Sequence, residues 1–201
     1  KITAPDSVAG DLFGSSISQW GNILAIGAHG ADPGSINGAG AAYLYRVESN
    51  GTVTYLTKVS APDKADSDNF GRSVSLSGDI LVVGAYQASP AGAAYIFRVE
   101  SNGTATYSHK LTAADQASGD RFGWSVSQSG NLIAIGANQS DPNSTTDAGS
   151  AYLYRMETNG TSTTFDDYII SLGKITAPNN VSNAQFGFSL SLSNDILAVG
   201  S

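Results

Sequence analysis

Four stretches of this chain are nearly the same. "DLFGSSISQWGNILAIGA" runs from Asp11 to Ala28, "DNFGRSVSLSGDILVVGA" from Asp68 to Ala85, "DRFGWSVSQSGNLIAIGA" from Asp120 to Ala137 and "AQFGFSLSLSNDILAVGS" from Ala184 to Ser201. A catalytic motif normally stands once. A motif written four times is architecture, so function is to be sought where the copies differ. The Phe-Gly pairs at Phe13, Phe70, Phe122 and Phe186 are 57, 52 and 64 residues apart. That period exceeds leucine-rich and ankyrin repeats and suits a four-stranded propeller blade.

Each unit carries four strand signals. In "FGRSVSLS", Val74 and Leu76 alternate with Ser73, Ser75 and Ser77, so one face packs and the other is polar or closely approached. A tight turn, "SGD", leads into the continuous apolar run Ile80–Ala85, which wants burial on both faces. The third signal is Gly92–Glu100. Asn102–Gly103 follows, and Asn-Gly between alternating strands predicts a type I′ hairpin, repeated at Asn50–Gly51 and Asn159–Gly160. The fourth is Thr104–Ala113, after which the "AP" dipeptides break pairing. Apolar spacing of helical period is absent. The glycines of Phe-Gly and of "VGA" are expected where sheets approach closely or the backbone takes unusual φ.

Composition narrows the partners. The net charge is −7, with no run of Lys or Arg, which disfavours nucleic acid and anionic membrane surfaces. No apolar stretch approaches the roughly 18–20 residues of a membrane-inserted helix. There is no Cys, so disulfides and thiolate chemistry are excluded. The opening "KITAP" recurs as "KVSAP" at Lys58, "KLTAA" at Lys110 and "KITAP" at Lys174. The sequence thus reads as a portion of a longer repeat protein.

"FGxSVS", then "LxVGA", then "GAAYLYR" resembles the FG-GAP repeat over three full units and half of a fourth. The resemblance implies a β-propeller like the headpiece of integrin α-subunits, found in secreted or surface proteins. Integrin-like copies often carry an acidic calcium loop between the first two strands. Here Gln19–Asn22, Ser77–Asp79, Ser129–Asn131 and Ser193–Asp195 are tight turns with at most one carboxylate. Calcium wants about six to eight oxygens, so no cofactor is expected and the calcium-free branch is indicated.

Other chemistry is sparse. His29 and His109 lack partners at triad spacing, and there is no G-x-S-x-G elbow, so both read as surface histidines. "NGAGAAY" lacks the Lys-Ser/Thr ending of a phosphate loop and reads as a turn entering a packed strand. Asp63, Asp66 and Asp68, matched by Asp6 and Asp11 and by Asp115 and Asp120, read as loop-shaping Asx residues, with a weak cation site as the alternative. The variable positions are the better ligand candidates: Arg72 and Trp124 after Phe-Gly (Ser15 and Phe188 in the other copies), and His29, Tyr86 and Asn138 opening loops that differ in length and content. Sequons at Asn50, Asn102, Asn138, Asn143, Asn159 and Asn180 are candidate N-glycosylation sites.

The expected fold is all-β: one propeller segment over residues 1–201, with units near 1–57, 58–109, 110–173 and 174–201. Three full four-stranded antiparallel blades and half of a fourth are predicted. The expected function is a non-enzymatic extracellular or cell-surface module, binding a protein or glycan through variable loops. Filament or sheath subunit is one alternative, and a hydrolase on a propeller scaffold another. Further blades of the same polypeptide, or neighbouring subunits, are expected to cover the open ends.

Overall fold

The computed structural model describes residues 1–157 and 168–201. Strands β1 (Phe13–Trp20), β2 (Ile23–Ala28), β3 (Ala41–Val47) and β4 (Val53–Val59) form an antiparallel sheet in sequential order. A second is built from β5 (Phe70–Ser77), β6 (Ile80–Ala85), β7 (Ala93–Val99) and β8 (Ala105–Leu111), and a third from β9 (Phe122–Ser129), β10 (Leu132–Ala137), β11 (Ser150–Glu157) and β12 (Tyr168–Ile175). The pair β13 (Ser189–Ser193) and β14 (Ile196–Gly200) begins a fourth. The sheets follow one another as blades, with β1, β5, β9 and β13 side by side. The repeat phrases "KVSAP", "KLTAA" and "KITAP" begin inside the outer strands β4, β8 and β12, so boundaries drawn at Lys58, Lys110 and Lys174 cut each sheet short by a few residues.

The predicted strand patterns have clear physical causes in the packing. β6 is buried along its whole length, as a continuous apolar run between two neighbouring sheets must be. Cores lie between blades. Phe70 from the second blade sits with Ala25, Ala42 and Leu44 of the first, and with Tyr95 and Phe97 of its own. Phe122 repeats this one blade on, its ring edge-on to Tyr152 at 5.3 Å.

The serines of the first strand join blade to blade. Ser73 Oγ donates to the Gly123 carbonyl at 3.0 Å, as Ser16 does to Gly71 at 2.9 Å and Ser125 to Gly187 at 2.7 Å. The second serine accepts: Ser18, Ser75 and Ser127 take the amides of Leu76, Gln128 and Leu192, each at 2.9 Å. The polar face predicted from the alternation is thus an interface. The two invariant glycines make it close enough. Gly71, Gly123 and Gly187 sit at φ of about 90°, in a bulge at the head of the strand, and a Cβ on Gly123 would stand 2.1 Å from the Ala93 carbonyl. On the facing strand, a Cβ on Gly84 would stand 2.0 Å from the Gly123 carbonyl.

The Asn-Gly loops differ from expectation. Val47 pairs with Val53 across a longer loop, in which Gly51 N–H donates to Glu48 O and Glu48 N–H to Thr52 O. Only the glycine has positive φ, 82° at Gly51 and 91° at Gly103, so this is a turn closed by a glycine bulge and not type I′. The asparagine acts instead through its side chain: Asn50 Oδ1 accepts Thr52 N–H at 2.8 Å, and Asn102 Oδ1 accepts Thr104 N–H at 2.7 Å. Asn159–Gly160 lies outside the described residues. Two short 3₁₀ turns, Pro33–Ser35 and Pro142–Ser144, are the helical elements among the described residues.

Candidate binding rim and cleft

The start of β5, the end of β6 and the loops beside them meet the same parts of the neighbouring blades at one end of the array. There the chain needs a left-handed residue just before each Phe-Gly. Leu12, Asn69, Arg121 and Gln185 hold φ of 57°, 58°, 61° and 56°. From the second blade onward, the residues after Phe-Gly meet one another across the blades. Arg72 lies over the Trp124 ring at 4.3 Å, and Trp124 packs on Phe188 at 5.5 Å. Tyr86 stands edge-on to Trp124 at 4.9 Å, and Arg121 approaches both rings, at 5.6 Å from Tyr86 and 5.4 Å from Trp124. His29 is half-buried nearby. Burial first, and then the Arg72 charge, hold its imidazole below its ordinary range.

Four of the five predicted ligand residues, His29, Arg72, Tyr86 and Trp124, therefore come together in one strip. Asn138 does not. It is 1% exposed, and its amide nitrogen donates inward to Gln185 at 3.4 Å, so it is a packing residue of its loop. This placement also removes it as a glycan acceptor. Asn180 is half-buried with its nitrogen on Pro142 O at 2.9 Å, while Asn50, Asn102 and Asn143 are exposed. Arg121 was not singled out from the sequence. Its signal was its place immediately before Phe-Gly, where every copy differs.

The aspartates are engaged one by one. Asp63 accepts from Tyr95 Oη at 2.8 Å and from Lys110 Nζ at 2.6 Å; Asp6 with Tyr43 and Lys58, and Asp115 with Tyr152 and Lys174, repeat the arrangement. Burial raises the Asp63 carboxyl, but donation by Lys110 and Tyr95 outweighs it and leaves the group below the usual carboxylate range. Asp68 Oδ2 instead accepts Ala65 N–H at 2.7 Å and is raised by burial. Asp66 accepts Asn37 N–H at 3.2 Å. Among the described residues no three His, Asp or Glu side chains converge on a point that would hold a metal. Asp63, Asp66 and Asp68 serve as three separate braces. In the fourth copy Asn179 replaces the bracing Asp. His109 pairs through Nδ1 with Ser108 at 2.7 Å in β8, away from the rim.

The rim loops were expected to differ among all three blades, but two of them are alike. Residues 29–39 and 138–148 each form eleven-residue loops before Gly40 and Gly149, with the same 3₁₀ turn and the same brace: Asp32 Oδ1 takes Gly38 N–H and Asp141 Oδ1 takes Asp147 N–H, both at 2.7 Å. Both loops reach across to the next blade. Asn37 O accepts Ser67 N–H and Gly38 O accepts Asn69 N–H; Thr146 O accepts Asn183 N–H and Asp147 O accepts Gln185 N–H. The second loop, 86–91, has only six residues. Where the longer loops lie, it leaves a cleft of about 300 Å³ lined by Tyr86, Gln87, Pro90, Ser118, Arg121 and Gln139, with Gly119 at its edge.

Sequential four-stranded antiparallel blades, joined through their first strands, define this array as part of a β-propeller. The FG-GAP repeat family matches residues 1–45, 54–97 and 106–154, and the chain belongs to that family. Among curated proteins none matches. Among solved structures the chain is similar to Sqt1 from Chaetomium thermophilum, at 15% identity and TM-score 0.50, over 84% of this chain and 37% of that one. It is also similar to the Pseudomonas aeruginosa periplasmic gluconolactonase PpgL, at 17% identity and TM-score 0.45, over 92% of this chain and 64% of that one. The chain thus spans less than two thirds of the length of either. At these identities the likeness concerns fold alone.

Proposed function

We propose that this chain is a non-enzymatic binding module of an extracellular or cell-surface protein, which holds a protein or glycan on the rim strip. The observation that carries this reading is the meeting of His29, Arg72, Tyr86, Arg121 and Trp124, all from variable positions of the repeat, on a scaffold whose invariant positions are used in packing. Aromatic rings and arginines are the side chains that most often anchor a binding surface. The three exposed sequons, Asn50, Asn102 and Asn143, and the resemblance to surface propellers support the location. The open faces at the two ends of the array, with Ile17 62% exposed and Ile196 77% exposed, suit cover by further blades or a neighbouring subunit. Glycan and protein arrays probed with the chain and with its Trp124→Ala variant test the reading. Ligands retained by the native chain and lost by the variant are expected. Retention unchanged by that substitution and by Arg72→Ala would overturn it.

A further inference from the structure

We infer that the cleft beside the short loop is a site for a carboxylate-bearing sugar, a hexuronic acid in size and charge; this rests on the binding-module reading and names the class of ligand. The argument begins with what the missing loop would have done. At the other two junctions the backbone N–H groups of Ser67 and Asn69, and of Asn183 and Gln185, donate to carbonyls of an eleven-residue loop. Their counterparts here are Gly119 and Arg121. Both line the cleft, and among the described residues neither N–H has an acceptor. Two backbone donors that elsewhere meet loop oxygens thus face space large enough for a ligand. Gly119 is exposed and Arg121 half-buried, so water serves these donors in the free chain, and an occupant that displaces it suits them best by supplying oxygens.

The charge of the occupant follows from Arg121. The chain is acidic overall, and most of its cations are engaged: Lys58, Lys110 and Lys174 on aspartates, Arg98 on Asp79, Arg155 on Glu157, Arg46 on the Ser101 carbonyl. The Arg121 guanidinium rests against Tyr86 and Trp124 and has no carboxylate partner among the described residues. Asp120, its neighbour in sequence, turns its carboxylate back to Ala117 N–H at 2.8 Å. A guanidinium and two backbone N–H groups on one wall suit a planar carboxylate. Gln139 and Ser118 furnish both donors and acceptors, and Gln87, whose Oε1 already accepts from Asn69 Nδ2, adds its amide donors, which match sugar hydroxyls. The volume, about 300 Å³, is at the small end of ligand pockets and fits one pyranose ring.

Arg121 can be changed without losing the backbone, because Gln185 holds the same left-handed position in the next copy. Calorimetric titration of the chain with methyl β-D-glucuronide, methyl β-D-glucoside and acetylated tri-glutamate is the test. The glucuronide is expected to bind the native chain, at least tenfold more weakly to Arg121→Gln. It is expected not to bind at all to a variant in which residues 86–91 are replaced by residues 29–39 of the first blade, which fill the cleft. Equal affinity for glucoside and glucuronide, preference for the peptide, or binding that survives the loop replacement would each overturn the inference. If the glucuronide fails while another glycan or a protein binds in a Trp124-dependent way, the binding-module reading stands and only the assignment of ligand class falls.

Discussion

Replacing Ser73 by alanine is expected to destabilise the chain, whereas the same change at Ser189 is not. The two serines occupy the same place in the repeat, third after Phe186 or Phe70. Ser73 is 9% exposed and donates to the Gly123 carbonyl of the next blade at 3.0 Å. Ser189 is exposed, and among the described residues no sheet stands against it as the third blade stands against Ser73. Removing one partner of a buried hydrogen bond costs about 1–3 kcal/mol, because the other partner stays desolvated. A loss of about 2 kcal/mol corresponds to roughly 4–8 °C in Tm for a domain of this size. Ser189→Ala should shift Tm by less than about 1 °C, as exposed substitutions do. A second substitution separates hydrogen bonding from space. Gly84→Ala would place a Cβ 2.0 Å from the Gly123 carbonyl and 2.4 Å from Ser73 Oγ. Combining it with Ser73→Ala clears the second clash and leaves the first, so the pair should remain far less stable than Ser73→Ala alone. Thermal and urea unfolding followed by circular dichroism reads all four variants. Equal costs at Ser73 and Ser189, or rescue of Gly84→Ala by Ser73→Ala, would refute the view that the serines join blades.

Other expectations follow from the braces, the rim and the open faces. Asp63→Asn should lower stability at neutral pH by about 1 kcal/mol, modest because the carboxylate is half-exposed. Since the folded state holds the Asp63 carboxyl low, its contribution is present above the ordinary value near 3.9 and is lost as pH falls through the lower folded value, so the gap between native and variant urea midpoints should close on acidification. His29 is also held low, so the unfolded chain takes up the proton first and stability should decline as pH falls below about 6.5; His29→Gln should flatten that slope. Calcium should leave Tm unchanged with or without chelator, because the Asp63 and Asp68 carboxylates already have donors; a ligand at a hundred times its Kd would add about 2.7 kcal/mol, an easily seen rise. Native mass spectrometry of the isolated chain should show association through its open faces, reduced by the pair Ile17→Lys and Trp20→Lys at positions 62% and 54% exposed; a monodisperse native monomer would count against cover by further blades.

The alternation of Val74 and Leu76 with serines, the run Ile80–Ala85 and the recurring turns were sufficient to specify strands, antiparallel sheets and a propeller, because each depends on side-chain periods of two and on residues that tolerate unusual φ within a few positions. The candidate ligand residues His29, Arg72, Tyr86 and Trp124 were legible as places where a repeated pattern varies. Their contact was not, since Arg72 and Trp124 belong to different blades and meet only when β5 and β9 stand side by side. Asn138 looked like its neighbours in sequence but turned inward to Gln185, from the following blade. The two described Asn-Gly pairs, Asn50–Gly51 and Asn102–Gly103, marked hairpins correctly, yet the turn type depended on where Val47 and Val53 came into register across the sheet. Least legible of all was the cleft. A loop of six residues instead of eleven is visible in the sequence as a difference in length, but its consequence, N–H groups on Gly119 and Arg121 of the next blade that find no acceptor among the described residues, exists only because packing brings that blade to the space the longer loop would fill.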